Sequence, residues 1–119
     1  MSLNKPKYTL FKNTRYALSG LKDIILTESS FKIQVLVFII LSIFLFFSSI
    51  LLKFKIILFL SLFIPIIAEI INSAIERVVD LVTLEYHDMA KRAKDVGATI
   101  VFMSIFVTIL IWISIFLLK

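Results

Sequence analysis

The constraint that governs this chain is length measured against a bilayer. Val35 to Leu52 runs for 18 residues with only Ser42, Ser48 and Ser49 as polar members. With Ile33 and Gln34 it is long enough, as a helix, to cross a hydrocarbon core of about 30 Å. Ala98 to Leu118 gives another such run, of 21 residues. Between them Ile56 to Ala68 supplies only 13, about 20 Å of helix at 1.5 Å per residue, which is too short to cross alone. The middle span has to borrow from the residues that follow, EIINSAI. Glu69 and Asn72 are thereby carried into the rim of the hydrocarbon; at the membrane centre an ionised side chain costs roughly 2.5–3.5 kcal/mol.

Composition agrees with helical spans. The chain is 61% hydrophobic and has two Gly and two Pro, so long elements with few breaks are expected. It has no Cys, which excludes disulfides, thiol catalysis and thiolate metal sites. Its one His cannot build a His-rich zinc site. The net charge of +5 is better explained by basic residues flanking membrane spans than by nucleic acid.

The reading is one domain over residues 1–119, all-α and integral to the membrane. A surface helix is expected over about 6–28 and spans over about 33–52, 56–82 and 97–118. In the first helix Phe11, Thr14, Leu18, Leu21 and Ile25 recur at steps of three or four, off a stripe of Lys12, Arg15, Ser19 and Lys22. Pro6 suits its first turn, and the pattern fits a helix lying in the membrane interface. Lys53 and Lys55 mark a tight connection. Pro65 is expected to kink the middle span and to leave the carbonyl four residues earlier without its usual donor. Residues 1–5 read as frayed. An alternating topology puts ten Lys and Arg on one side, with the N-terminus and segment 77–97, against Lys53, Lys55 and Lys119 on the other. The N-terminus is therefore expected in the cytoplasm.

At 100° per residue Glu69, Asn72, Ser73, Glu76, Asp80 and Thr83 fall within roughly 100° of one another. This polar stripe must face other helices, a cation or a water-filled cleft. Interhelical hydrogen bonding alone would also account for it. Carboxylates and a carboxamide without His or Cys form a hard oxygen set that suits Mg²⁺, and Mg²⁺ held by one or two carboxylates usually carries phosphate oxygens too. Lys91, Arg92 and Lys94 follow on the same side. These are the parts of phosphoryl transfer: metal, cation and base. Burial makes a carboxyl a stronger proton acceptor, and Glu69 is the deepest acid. No Gly-rich phosphate loop is present. An ion or proton path is a rival reading, but the first and third spans offer no matching ionisable residues. A structural helper that uses the stripe for helix pairing is another.

The string EIINSAIERVVD, followed by EYHDMAKRAKDVG, resembles the small integral-membrane diacylglycerol kinases of bacteria. The segment YALSGLKDIILTESSF adds to the likeness, as do length and span order. The resemblance implies a homotrimer with active sites between subunits. It implies MgATP-dependent phosphorylation of diacylglycerol to phosphatidate at the cytoplasmic face of the inner membrane, with undecaprenol as the acceptor in relatives of the same family. It implies Glu69 as general base, supported by Asn72. Glu28 and Glu76 would hold the Mg²⁺ that bridges the ATP phosphates. Tyr16, Glu85, Tyr86 and His87 would lie along the nucleotide, and Lys94 would contact phosphate beside Asp95. Glu69 and Ala98 would meet the lipid. Tyr16 also reads as an interfacial aromatic, His87 as a loop residue, and Trp112 as a membrane anchor or packing residue. The chain departs from the family pattern at Thr9, where an arginine is common and whose role Arg15 could fill. It departs again at Leu18 and around Lys53 and Lys55.

Overall fold

A computed structural model describes residues 9–119, and Pro6 and the segment read as frayed lie outside them. Five helices follow one another: α1 (Leu10–Thr27), α2 (Ser29–Phe47), α3 (Leu52–Ser61), α4 (Phe63–Val82) and α5 (Asp88–Leu118), with no strand among the described residues. Three stretches are long and apolar enough to cross a membrane: Ser29–Phe47, Leu52–Val82 and Asp88–Leu118. The fold is that of an all-α integral membrane protein.

The helix ends follow local chemistry. Thr9 is extended and its hydroxyl accepts from the Lys12 amide at 3.1 Å, an N-cap for α1. Arg15 lies over the Phe11 ring, 5.8 Å from its centroid. Glu28 alone separates α1 from α2; its backbone is extended at φ −120° and ψ 114°. The first span therefore begins at Ser29 rather than near residue 33, and it ends at Phe47 rather than at 52. Ser48 closes it, because its amide and its hydroxyl both donate to the Leu45 carbonyl, at 3.2 and 2.8 Å. Serine competes in this way with the helical ladder. The third span and the polar turns before it form one continuous helix, α5, opened by His87, whose Nδ1 accepts from the Met89 amide at 3.1 Å. Asp88 in its first turn faces the positive end of the helix dipole.

The middle span is broken in two at Leu62. The cause is Pro65, whose missing N–H and bulky ring deny the Ser61 carbonyl its donor four residues on. In hydrocarbon such an acceptor has no water to turn to. The Thr108 hydroxyl of α5, which donates to the Ser104 carbonyl at 2.9 Å, also approaches it at 3.4 Å, and the Trp112 indole donates to the Ser61 hydroxyl at 3.0 Å. Around this seam lies the apolar core of Leu45, Ile50, Leu58, Leu62 and Ile115, flanked by Phe38 and Trp112. Trp112 is thus a packing residue with a satisfied N–H. Phe38, Phe59 and Phe63 stack over the same break, with Phe38 and Phe63 edge to face at 4.9 Å. The far end of the bundle is closed mainly by packing, with charged interhelical pairs confined to the other end.

Thr108→Val removes the hydroxyl from this seam. It should lower stability in detergent or bilayer unfolding by about 0.6 kcal/mol, and by no more than about 2. In a Pro65→Ala background the same substitution should cost less, since the alanine N–H can satisfy Ser61. An equal loss in both backgrounds would contradict this origin of the break.

Candidate active site

The polar stripe lies on α4, which packs most extensively along α5 and also meets α2. Glu69, Asn72 and Ser73 are buried, while Ile67, Ile70, Ile71 and Val78 on the other face are exposed. Glu69 turns inward and the isoleucines outward, the reverse of a water-soluble helix, while Glu76 is partly buried and Asp80 exposed. Thr83 leaves the stripe: α4 ends at Val82 and Thr83 is extended at φ −155°. Its hydroxyl instead accepts from the Glu85 amide at 3.2 Å, shaping the turn.

Each acid has a defined partner. Glu69 accepts from Gln34 Nε2 at 3.0 Å and from Ser30 Oγ at 3.4 Å, both on α2. Asn72 Nδ2 donates to Glu76 Oε1 at 3.3 Å, one turn along α4. Its Oδ1 is buried and unpartnered, and it occupies the space where a side chain at position 97 would begin. A Cβ on Gly97 would overlap Asn72 Oδ1. Gly97 is therefore what lets α5 close over the carboxamide, a role its place in R-A-K-D-x-G does not reveal.

Glu28, at the α1–α2 break, reaches across to α4. Ser73 Oγ and Arg77 both donate to its Oε2, and Arg77 also pairs with Asp23 and with the Thr27 hydroxyl. Glu28 and Glu76 are thus brought to the same end of α4 from different helices. Arg77, Ser73, Ser30 and Gln34 were not among the expected site residues. The first two were visible as polar residues in the motif, whereas the α2 pair could be found only from packing.

Beyond Val82 the turn 83–87 folds back over the start of α5 and makes a cleft of about 300 Å³. Glu85, Tyr86, His87, Lys94 and Asp95 all line it, together with Asp80. Lys94 Nζ is 2.7 Å from Asp80 Oδ1, and Lys91 Nζ is 2.7 Å from Asp95 Oδ2. Lys94 lies in the polar opening turns of α5, ahead of its apolar run. Of the residues expected at the nucleotide, Glu85, Tyr86, His87, Lys94 and Asp95 line this cleft, while Glu28, Glu76 and the exposed Tyr16 of α1 lie outside its lining. Ala98 sits one helical turn beyond Lys94 on α5, on the same face.

The described residues contain no group of three or more His, Cys, Asp or Glu side chains that could hold a metal ion. The donor chemistry nonetheless fits Mg²⁺. Two carboxylates with phosphate oxygens and water are its usual surroundings in nucleotide sites, and a dedicated protein cage is not. Glu28 and Glu76 offer those carboxylates, one from the α1–α2 junction and one from α4.

A buried acid, hard oxygen donors and a cleft that mixes Asp80, Glu85 and Asp95 with Lys91 and Lys94 thus lie at one end of a three-span bundle. The sequence matches the family model described as prokaryotic diacylglycerol kinase over residues 15–116. The chain belongs to that family. It is 33% identical over 116 residues to the diacylglycerol kinase of Escherichia coli strain K12, covering 94% of this chain and 93% of that one. It is 36% identical over 104 residues to the diacylglycerol kinase of Haemophilus influenzae, with 87% of each chain covered. With the enzyme of that name from Helicobacter pylori strain 26695 it shares 35% identity over 106 residues, 87% of this chain and 80% of the other.

Gly97→Ala should drive the Asn72 carboxamide off Glu76, since the new methyl needs its place. Phosphoryl-transfer turnover should fall about tenfold or more, the scale set by small misplacements in a catalytic group. Steady-state kinetics beside a melting curve checks it, and an enzyme with unaltered turnover would show that the carboxamide can sit elsewhere.

Proposed function

We propose that this chain is a lipid kinase that transfers the γ-phosphoryl group of ATP to the primary hydroxyl of diacylglycerol, giving phosphatidate. The reading treats residues 1–119 as one membrane-embedded kinase domain. It works as a homotrimer in the bacterial inner membrane, with its N-terminus and the 83–87 turn in the cytoplasm. The observation that carries it is the continuity between a carboxyl buried at Glu69 and the cleft at Lys94. Asn72, Glu76 and Asp80 join the two along one helix face.

Each residue has a task in this reaction. Glu69 accepts the proton of the lipid hydroxyl as its oxygen attacks the γ-phosphorus, and the bond from that phosphorus to the β-bridging oxygen breaks to release ADP. Asn72 steadies Glu76 through its amide and lines the path between base and phosphate. Glu28 and Glu76 would hold Mg²⁺, which when bound neutralises phosphate charge. Lys94 moves from Asp80 to a phosphate oxygen, where a point charge is useful. Tyr86 and His87, with Glu85 and Asp95, line the nucleotide, and Tyr16 joins them across a subunit boundary. Ala98 borders the lipid beside Glu69. A small side chain there leaves room for a headgroup next to the base.

The names of the relatives favour diacylglycerol over undecaprenol. Purified protein in mixed micelles, supplied with labelled ATP, Mg²⁺ and either lipid, tests the choice. Transfer should be faster to diacylglycerol. Glu69→Gln and Glu76→Gln should each abolish nearly all transfer while the proteins stay folded and trimeric. Activity confined to undecaprenol would overturn the substrate assignment, and an active Glu76→Gln enzyme would leave the stripe with a structural role only.

A further inference from the structure

Glu69 is carried by α4 but held by α2. Gln34 Nε2 donates to its Oε2 at 3.0 Å, and Ser30 Oγ approaches its Oε1 at 3.4 Å. Positions 30 and 34 are one turn apart on α2, so both donors come from a single face. The Gln34 amide is placed at a cost, because its own Oε1 is buried and has no partner. A buried polar atom left without a partner is destabilising. An apolar side chain of the same length would fill the space without that penalty, but it could not hold the carboxyl.

We propose that Gln34 and Ser30 are positioning residues for Glu69. The inference rests on the reading of Glu69 as the base. A carboxylate has two oxygens with about two lone-pair sites on each. One donor on each oxygen fixes the plane of the group and its rotation about the side-chain axis. The second site on each oxygen stays free for the acceptor hydroxyl. The device makes α2 a catalytic support as well as a membrane span. It also makes the alignment of the base depend on how α2 and α4 pack. Gln34 dominates the pair, since its contact is the shorter and its side chain is partly buried while Ser30 is exposed.

Gln34→Met keeps the length and bulk of the side chain and removes the donor. Its kcat should fall about tenfold to a hundredfold, the effect of about an ångström of freedom in a reacting group. KM for MgATP and for the lipid should stay within about twofold, the pattern of an interaction used only in the transition state. Ser30→Ala should cost less, about twofold to fivefold, because its contact is long. A purely structural role would move thermal stability and both KM values instead.

A spectroscopic readout separates this proposal from the functional reading it rests on. Isotope-edited infrared spectra of ¹³C-carboxyl glutamate protein in bilayers give the Glu69 carboxyl band as the one lost in Glu69→Gln. Gln34→Met should shift that band. Gln34→Asn, which withdraws the amide by one methylene, should shift it too, and serves if the Met variant fails to fold. A band that stays in place, or a kcat equal to wild type, would overturn the proposal. If the wild-type chain phosphorylates no lipid, the functional reading fails while the band still decides whether α2 holds the carboxyl.

Discussion

Everything in this fold answers to the difficulty of keeping a carboxylate at the edge of hydrocarbon. Glu69 is only 9% exposed, and an acid so placed needs partners from other helices. Two come from α2. The neighbouring acids are managed in the same way, Glu28 by Ser73 and Arg77, Glu76 by Asn72, and Asp80 by Lys94. Those pairings set where α1, α2 and α5 sit around α4. The polar stripe, the proposed site, is also the template for packing at this end of the bundle.

The two ends of the molecule are stabilised by different physics. Far from the stripe the chain relies on large side chains, with Leu58 fully buried and three phenylalanines stacked over the break at Leu62. The Ser61 carbonyl, freed by Pro65, has the Thr108 hydroxyl near it at 3.4 Å, a hydroxyl that also donates to the Ser104 carbonyl. Near the stripe, apolar packing gives way to hydrogen bonds and ion pairs between helices. Many of these are half exposed, including Arg77 with Asp23 and Lys94 with Asp80. Pairs of that kind contribute little to stability and can be exchanged for a ligand's charges with little loss. A rigid apolar end and an exchangeable polar end suit an enzyme whose substrates arrive from water and from lipid.

Much of this was legible in the sequence, and the reasons differ by feature. The spans could be read because hydrocarbon thickness fixes a minimum run of apolar residues. The stripe was legible because helical periodicity places Glu69, Asn72, Ser73, Glu76 and Asp80 on one face. The break was foreseen from Pro65. The exact ends of α2 were not: Ser48 and Ser49 read as tolerable in a span, yet Ser48 caps it, and Glu28 ends α1 without glycine or proline. Nor could the sequence show that Gln34 and Ser30 face Glu69, because that depends on the rotation of α2 against α4. The importance of Gly97 needed the position of Asn72 Oδ1. Thr9 marks a departure from the family that looked like a lost contact and proves to be a helix cap.

The central claim is that the acids on and beside α4 gather a metal-bound nucleotide. Solid-state NMR of ¹³C-carboxyl glutamate protein in bilayers can address it with Mn²⁺ and a nonhydrolysable ATP analogue. The chain has only Glu28, Glu69, Glu76 and Glu85 to assign. The account predicts that the paramagnetic complex broadens the Glu28 and Glu76 carboxyl signals most strongly. Sharp Glu28 and Glu76 signals in the presence of bound Mn²⁺ nucleotide would contradict it.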